Sequence, residues 1–250
     1  MKKIRNIITP GIKNAELTYF EKLQEQVDHG SIWIDLGCGK KLISNWILKS
    51  PLFEDKHNLV NHPHLIGVDI ESDQVRHNKD VRYPIAGSIM SIPVKECSCD
   101  IISSNMVFEH VRDADQMINE IKRILKPGGT LIFHTPNSWN YLVVLSKIVP
   151  ASLKDFLIRR FEGRKEDDIF PTYYRMNNTK QIKRLVHDHD MELVDLMCIE
   201  STAFFDRFLP LAFAEYLMLR ILRFKIFRAF RSNLIVVIRK KGGTNPNGKS

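Results

Sequence analysis

Short apolar runs alternate with amphipathic stretches over the first half of the chain. The apolar runs predict buried strands at 31–36, 65–70, 100–104 and 130–134, with a weaker strand near Ile85. Helical spacing of apolar residues predicts helices at 12–28, 42–48 and 117–125. Strands that alternate with helices at this pace predict a parallel sheet with crossover helices. Because the strands are apolar throughout, both faces of that sheet are expected to be covered.

The second half of the chain departs from this rhythm. A further helix is predicted to begin after Asn178 or Thr179, and strand-like runs follow at 192–199 and 233–240. We interpret the intervening segments 136–176 and 201–231 as cap insertions in a single domain that spans 1–240. The Gly-, Asn- and Lys-rich tail, 241–250, is expected to be disordered.

The second insertion contains an apolar and basic stretch at 211–231. On a helical wheel, one face carries Leu222, Ile226, Ala229 and Phe230. The other face carries Arg220, Arg223, Arg228 and Arg231, with Phe224 and Phe227 among them. Such a helix is able to lie in a membrane interface. The alternative is a helical cap that packs on its own domain and leaves the arginines in solvent.

Composition and charge narrow the class of protein. Of the 250 residues, 44% are hydrophobic and 26% are charged, which excludes disordered and collagen-like chains. The net charge of +8 favours an anionic partner, either nucleic acid or an acidic membrane surface. The four cysteines lack zinc-ribbon spacing, and no apolar run of about 18 residues is present. We expect a cytoplasmic protein, with peripheral contact at the inner face of the cell membrane left open.

A glycine turn follows the first predicted strand. Asp35-Leu-Gly-Cys-Gly39 lies at the carboxyl end of that strand, where open α/β sheets bind ligands. A dinucleotide fingerprint needs a third glycine at position 42, which is Leu, and no Walker A motif is present. Asp69 ends the second strand, where a carboxylate can accept hydrogen bonds from ribose hydroxyls. The alternative role for Asp69 is a helix cap or a solvated turn.

Several segments match one enzyme family in order and spacing. They are 34–39, Gly67-Val-Asp69, 100–105, Glu109-His110 and 125–130. Over about 31–200 the chain resembles the class I S-adenosylmethionine-dependent methyltransferases, and in particular bacterial small-molecule or "type 11"-like members. The resemblance implies a Rossmann-like, doubly wound α/β fold with a seven-stranded, mostly parallel sheet and an antiparallel last strand. It also implies that S-adenosylmethionine lies across the carboxyl ends of the first strands.

The resemblance also assigns the cofactor contacts. It places Asp35, Gly37 and Gly39 at the methionine moiety, Asp69 at the ribose, Ser88 and Ile89 beside the adenine, and Asn105 under the methionine end. The complete set of cofactor-binding residues is Asp35, Gly37, Cys38, Gly39, Asp69, Ile70, Ser88, Ile89 and Asn105. Lys41 replaces the family's usual glycine, and Ser88 replaces a frequent acid. Since a hydroxyl lacks charge assistance, we expect weaker cofactor affinity.

Methyl transfer is an in-line displacement that depends largely on alignment. A base is needed only when the acceptor must lose a proton. His110 and His134 are the candidate bases, with Glu109 as a third catalytic candidate; for both histidines a structural role is the alternative. Related enzymes bind magnesium through Glu-x-x-Glu-His, and the first of those positions is Met106 here. A thioether is a poor ligand for a hard cation, so no metal is predicted.

The loop 170–175 is the most distinctive part of the predicted acceptor region. Tyr173 and Tyr174 are candidates to clamp an acceptor and Arg175 to bind an anionic group; the alternative is a structural loop. The sequence thus predicts a methyltransferase for a small-molecule, glycan or lipid-linked acceptor, and no nucleic-acid partner is favoured. The alternatives are a nucleic-acid methyltransferase, and a non-catalytic cofactor-binding protein at the membrane.

Overall fold

The computed structural model describes residues 14–48, 59–141, 143–144, 170–200 and 209–242. The strands are β1 (Trp33–Leu36), β2 (Leu65–Asp69), β3 (Tyr83–Ala86), β4 (Cys99–Asn105), β5 (Leu125–Pro136), β6 (Met191–Ile199) and β7 (Asn233–Lys240). The helices are α1 (Ala15–Gln24), α2 (Asn45–Leu48), α3 (Ser72–Arg76), α4 (Ala114–Ile124), α5 (Thr179–Asp188) and α6 (Leu209–Leu222). Short 3₁₀ turns cover Phe108–His110 and Lys225–Phe230.

The strands form one sheet in the order β3-β2-β1-β4-β5-β7-β6. Strands β1 to β5 pair in parallel, and β7 runs antiparallel to both of its neighbours. The predicted seven-stranded, doubly wound α/β fold with an antiparallel last strand is therefore confirmed. Because β7 is reversed, its first residue, Asn233, pairs with Pro136 at the carboxyl end of β5. The start of β7 consequently lies at the same edge of the sheet as the glycine turn.

Alternate strand residues build an apolar layer on each face of the sheet. Ile34, Ile102 and Phe133 contribute to the layer that α4 and α5 cover. Trp33 and Ile132 face the other way, into the layer that α1 covers. The apolar positions of α4 recur at helical spacing and are all buried, and Asp113 caps its first turn by accepting from the Gln116 N–H at 2.9 Å. These two layers fix β1 between its neighbours and thereby position the turn that follows it.

Two local predictions needed correction. The helix expected at 42–48 covers only α2 (Asn45–Leu48). The strand expected at 130–134 already begins at Leu125, directly after α4, so that Pro127-Gly-Gly129 lies within β5. A register shift between β4 and β5 accommodates the irregular residues.

The prediction of a single amphipathic helix over 211–231 is wrong. Helix α6 ends at Leu222, and a separate 3₁₀ turn follows. The Arg231 guanidinium explains the break, since it donates to the carbonyl oxygens of Leu222, Arg223 and Cys198 at 3.0–3.1 Å. These bonds satisfy the open carbonyls at the end of the helix. Arg231 therefore holds the fold together and does not belong to a basic face.

Parts of both insertions and most of the tail lie outside the described residues. These are 142, 145–169, 201–208 and 243–250. The division into one domain with two cap insertions stays a prediction. Within the described part of the chain, no helix combines the length and the hydrophobicity needed to cross a membrane.

Candidate functional site

The glycine turn after β1 takes a left-handed backbone at both glycines. Gly37 has φ +71° and Gly39 has φ +52°, conformations that favour glycine. A Cβ on Gly37 would lie 2.3 Å from Cγ2 of Val107, so the side chain of Val107 closes one side of the turn. At Gly39, the nearest atom to a Cβ would be Gln74 Oε1 at 3.6 Å. The turn is therefore tightly packed at Gly37 and open at Gly39.

Side chains from the α3–β3 connection hold the turn in place. The Asn78 amide donates to the carbonyl oxygens of Cys38 and Gly39, both at 3.0 Å. Asp80 Oδ2 accepts from the Leu42 N–H at 3.0 Å. Cys38 itself is buried, and its sulfur lies against Gly67, where an added Cβ would come within 2.7 Å of it. Cys38 is thus placed as a packing residue of the turn.

Asp69 links the turn to the end of β2. Its Oδ2 accepts from the Gly39 N–H at 2.8 Å, and its Oδ1 accepts from the Glu71 N–H at 2.9 Å. Each carboxylate oxygen can accept a second hydrogen bond, and the residue is half-buried. Asp69 can therefore hold the glycine turn and still accept the predicted hydrogen bonds from a ribose.

An apolar surface lies next to Asp69. Ile70 follows it directly and is 71% exposed. The Gly87 N–H donates to the Asp69 carbonyl at 2.9 Å, which brings Ser88 and the partly buried Ile89 to the same place. An exposed isoleucine beside a carboxylate with further acceptor capacity is a surface that suits an adenosine.

Asp35 is a buried carboxylate at the base of the turn. It accepts a hydrogen bond from the Ser103 hydroxyl, which in turn accepts from the Trp33 indole N–H at 2.7 Å. Burial raises the pKa of Asp35 to about 7, and the negative charge of Asp69 adds to the rise. A cation at this place would stabilise the ionised form. The ammonium of a methionine moiety is such a cation.

A second buried polar group occupies the ends of β4, β5 and β7. His134 Nδ1 lies 2.8 Å from the Asn105 side-chain oxygen, and Nε2 lies 3.2 Å from that of Asn233. Burial lowers the pKa of His134 to about 4. A neutral imidazole carries one N–H, so it donates to only one of these two oxygens; on Nδ1 that proton forms the shorter contact, to Asn105, and Nε2 keeps a lone pair that faces the Asn233 side chain. The Tyr19 ring of α1 packs 5.9 Å from the His134 ring.

The 3₁₀ turn after β4 anchors the loop 170–175. The Glu109 carbonyl accepts from the Tyr173 N–H at 2.7 Å and from the Tyr174 N–H at 3.2 Å. His110 Nδ1 lies 3.0 Å from the Pro171 carbonyl oxygen. Since a carbonyl only accepts, Nδ1 carries a proton, and in the neutral form of the ring Nε2 has the lone pair. The loop is therefore attached beside the carboxyl end of β4.

The side chain of Glu109 points into the protein. It is buried, and it accepts from the Thr135 hydroxyl at 3.3 Å. Burial raises its pKa. Its Oε1 is 3.9 Å from His110 Nε2, which is too long for a hydrogen bond. Glu109 and His110 are thus not hydrogen-bonded to each other, although a positive charge on His110 lowers the pKa of Glu109.

The predicted acceptor residues differ in exposure. Tyr173 and Arg175 are exposed, whereas Tyr174 is half-buried with a left-handed backbone at φ +51°. Burial raises the pKa of Tyr174, and the charge of Glu109 contributes. The assignment of these three residues to an acceptor stays a prediction.

Sequence reasoning did not identify several residues that build the site. They are Ser103, Val107, Asn78, Thr135 and Asn177. Ser103 had a signal, since it lies opposite Asp35 when β1 and β4 are paired in parallel. Val107 and Asn78 lack such a signal because they reach the glycine turn only through the tertiary fold.

The chemistry of these residues fits S-adenosylmethionine. Asp35 offers a carboxylate to a cation, Asp69 offers acceptors to hydroxyls, and Ile70 and Ile89 offer an apolar face to adenine. The open side of Gly39 leaves room for the ligand to approach the backbone.

Comparison with known proteins supports this reading. The family model "Methyltransferase domain" matches residues 34–133. A probable S-adenosylmethionine-dependent methyltransferase of Mycolicibacterium smegmatis is 34% identical over 77 residues, 29% of this chain and 30% of that one. A malonyl-[acyl-carrier protein] O-methyltransferase of Methylovorus sp. is 39% identical over 56 residues, 22% of this chain and 19% of that one. The chain thus matches less than a third of the length of these two relatives.

The fold is also found in solved structures. Geranyl diphosphate C-methyltransferase from Streptomyces coelicolor, solved with S-adenosyl-L-homocysteine, superposes with a TM-score of 0.52 at 13% identity, covering 90% of this chain and 80% of that one. This likeness concerns the fold alone. The family model shows a methyltransferase domain over 34–133, and the S-adenosylmethionine-dependent methyltransferase among the relatives, the sheet order and the glycine turn beside Asp69 support a class I enzyme of that kind.

Proposed function

We propose that this protein transfers a methyl group from S-adenosylmethionine to a small-molecule, glycan or lipid-linked acceptor. The observation that carries the proposal is the junction of β1 and β2. There Gly39, with its open side, donates to Asp69 at 2.8 Å above the buried Asp35. When bound, S-adenosylmethionine supplies a methyl group on a sulfonium, which is already activated for displacement. The task of the protein is then to bind, to align and to exclude water.

The cofactor residues divide this task among themselves. Asp35 attracts the positively charged end, and Asp69 accepts from the ribose hydroxyls while it holds the Gly39 backbone. Ile70 and Ile89 cover the adenine, and Ser88 lies at its edge. Gly37 and Cys38 keep the turn in its packed position.

His110 is the favoured base for an acceptor that must lose a proton. Its Nδ1–H donates to the Pro171 carbonyl, so Nε2 carries the lone pair that a base needs. The imidazole is also partly exposed, with 32% of its side chain accessible. Glu109 positions the loop 170–175 through its carbonyl and is not required to exchange protons.

We assign His134 a positioning role in place of the predicted role as a base. Both of its nitrogens face asparagine side chains, and the low pKa keeps the ring neutral at pH 7. Through the 2.8 Å bond it orients Asn105, the residue expected under the methionine end.

The acceptor class rests on two observations. The malonyl-[acyl-carrier protein] O-methyltransferase among the relatives acts on a carrier-bound small molecule by its name. Tyr173 and Arg175 stand exposed on the loop that His110 anchors, which gives an acceptor an aromatic surface and a cation. We therefore propose an acceptor with an anionic group, bound between this loop and the glycine turn.

Isothermal titration of the full chain tests the cofactor site. We expect micromolar affinity for S-adenosylmethionine or S-adenosylhomocysteine. Asp69→Ala should weaken it by about 1.5–3 kcal/mol, the range for lost hydrogen bonds to a charged group. Asp73→Ala, an exposed carboxylate four residues away on α3, is the matched control and should leave the affinity unchanged. Absence of heat with either ligand at high protein concentration would refute the proposed function.

Ser88→Asp should tighten cofactor binding. Ser88 Oγ accepts from the Met90 N–H at 3.1 Å, a bond that an aspartate can also accept, so the local turn should survive. The carboxylate adds charge to a hydrogen bond with the adenine amino group, with a gain of no more than about 1–2 kcal/mol. Titration of Ser88→Asn separates charge from size. Equal affinity of Ser88→Asp and the parent protein would place Ser88 away from the adenine.

A further inference from the structure

Helix α6 is apolar on two opposite faces. One face is buried in the domain and consists of Ala212, Tyr216, Leu219 and Leu222. The outward face exposes Phe213, Leu217 and Ile221, which follow one another at intervals of four residues. A surface helix normally has one apolar stripe and one polar face. A second, solvent-facing apolar stripe therefore indicates an interaction surface.

The exposed stripe continues into the 3₁₀ turn after α6. Phe224 is 64% exposed and Ile226 is 80% exposed, and Phe227 and Phe230 are exposed beside them. We call this surface the apolar ridge. It comprises Phe213, Leu217, Ile221, Phe224, Ile226, Phe227 and Phe230.

The ridge is held rigidly on the domain. The buried Asn137 amide donates to the carbonyl oxygens of Ala229 and Arg231, both at 2.7 Å. The Tyr141 hydroxyl donates to the buried Glu215 of α6. The exposed side chains are thus presented by a fixed backbone and are not the result of a frayed terminus.

Positive charge surrounds the ridge. Arg220, Arg223, Lys225 and Arg228 are all exposed and alternate with its apolar residues. From 216 to 242 the sequence has eight basic residues and no acidic one. A second copy of this chain would bring the same charges together, which electrostatic repulsion disfavours. An anionic surface complements them.

The ridge shares the edge of the sheet that carries the cofactor residues. It precedes β7, whose first residue pairs with the last residue of β5 at that edge. The β1 and β7 strands are three places apart in the sheet, which corresponds to about 14 Å. Between the ridge and the chain after β5 lies an apolar groove of about 640 Å³, lined by Trp139, Tyr141, Val144, Met218, Phe227 and Phe230 among others.

We propose that the apolar ridge inserts into the interfacial region of an anionic lipid bilayer, with the four exposed basic residues on the lipid headgroups. Apolar side chains on a fixed backbone supply the insertion, and the basic residues supply attraction that salt weakens. This contact is independent of methyl transfer. It would bring the catalytic edge of the sheet to the membrane surface.

Vesicle sedimentation with the full chain tests the proposal. We expect binding to vesicles of phosphatidylcholine with phosphatidylglycerol at low salt, loss of binding at high salt, and little binding to phosphatidylcholine alone. Phe224→Ser with Ile226→Ser should weaken binding at least about tenfold, because two apolar side chains no longer leave water. The combined variant Arg220→Gln/Arg223→Gln/Lys225→Gln/Arg228→Gln should weaken it about a hundredfold or more, since each basic residue contributes about fivefold.

Controls distinguish membrane binding from a change in the stability of the protein and from its self-association. Tyr83→Ser with Val194→Ser removes two other exposed large hydrophobic side chains, outside the ridge, and should leave binding unchanged. Arg231 is left intact because it holds the end of α6. The ridge variants should keep the melting temperature of the parent protein. The proposal is wrong if the parent protein does not bind anionic vesicles at low salt, or if the Phe224/Ile226 variant binds as well as the control. A dimer in light scattering that only the ridge variants abolish would also overturn it, in favour of a second copy.

Discussion

Asp35→Asn should stabilise the folded protein above pH 7 and at the same time weaken its binding of S-adenosylmethionine. The carboxyl of Asp35 is buried, and burial raises its pKa to about 7 from a usual value of 3.8. Ionisation of this group therefore opposes folding at neutral pH. An amide of the same shape can still accept from the Ser103 hydroxyl, while the charge is lost.

The sign of the pH dependence follows from the direction of the pKa change. Below about pH 4 the carboxyl is protonated in both the folded and the unfolded chain, so it contributes nothing. Between about pH 4 and 7 the unfolded chain ionises first, and the stability of the folded state falls as the pH rises. Above about pH 7 the carboxyl is ionised in both states, and the folded state bears the full free-energy cost of the buried charge. It amounts to a few kcal/mol, since one pKa unit corresponds to about 1.4 kcal/mol.

Chemical denaturation between pH 5 and 8 measures this effect. The free energy of unfolding of the parent protein should fall over that range relative to Asp35→Asn, which lacks the ionisable group. Asp73→Asn, on the exposed face of α3, should show the slope of the parent protein. Cofactor affinity of the parent protein should rise as the pH passes through about 7, because the ionised carboxylate attracts the cationic ligand. An unchanged slope in Asp35→Asn would show that Asp35 is already ionised in the folded state at pH 5.

The sequence was informative where a local pattern determines the structure. The apolar runs that became β1, β2 and β4 predict buried parallel strands, because only a sheet covered on both faces tolerates them. Gly37 and Gly39 mark the turn because their backbone is left-handed, a conformation that other residues rarely adopt.

The sequence did not predict features that depend on contacts between residues far apart in the chain. The helical wheel for 211–231 assumed a continuous helix, whereas the Arg231 guanidinium ends α6 by binding carbonyls that lie eight or nine residues earlier. The candidate base His134 looked accessible at a strand end, yet it is buried, and its two nitrogens face the side chains of Asn105 and Asn233 on two other strands. Such contacts arise from sheet order, which a one-dimensional pattern does not contain.

Gly37→Ala should mainly lower the stability of the fold, whereas Gly39→Ala should mainly weaken ligand binding, although both glycines belong to the same turn. At Gly37 a methyl group would meet Val107 Cγ2 at 2.3 Å and would also adopt φ +71°. Left-handed strain together with overpacking should cost about 2–5 kcal/mol of stability. At Gly39 the nearest atom to the methyl group lies at 3.6 Å, so only the strain of about 1–2 kcal/mol remains.

Val107→Ala provides the decisive control, because it removes Cγ1 and Cγ2, the two atoms that lie nearest to the new methyl group. Combined with Gly37→Ala, it should recover part of the lost free energy of unfolding, although a valine-to-alanine change in a packed site normally destabilises. With Gly39→Ala it should give no recovery. Denaturation of the four variants measures these differences, and titration with S-adenosylhomocysteine should show that Gly39→Ala loses affinity at least tenfold (about 1.4 kcal/mol) while it stays folded. If the double variant at 37 and 107 were less stable than Gly37→Ala alone, the contact between Val107 and the turn would not be what requires glycine there.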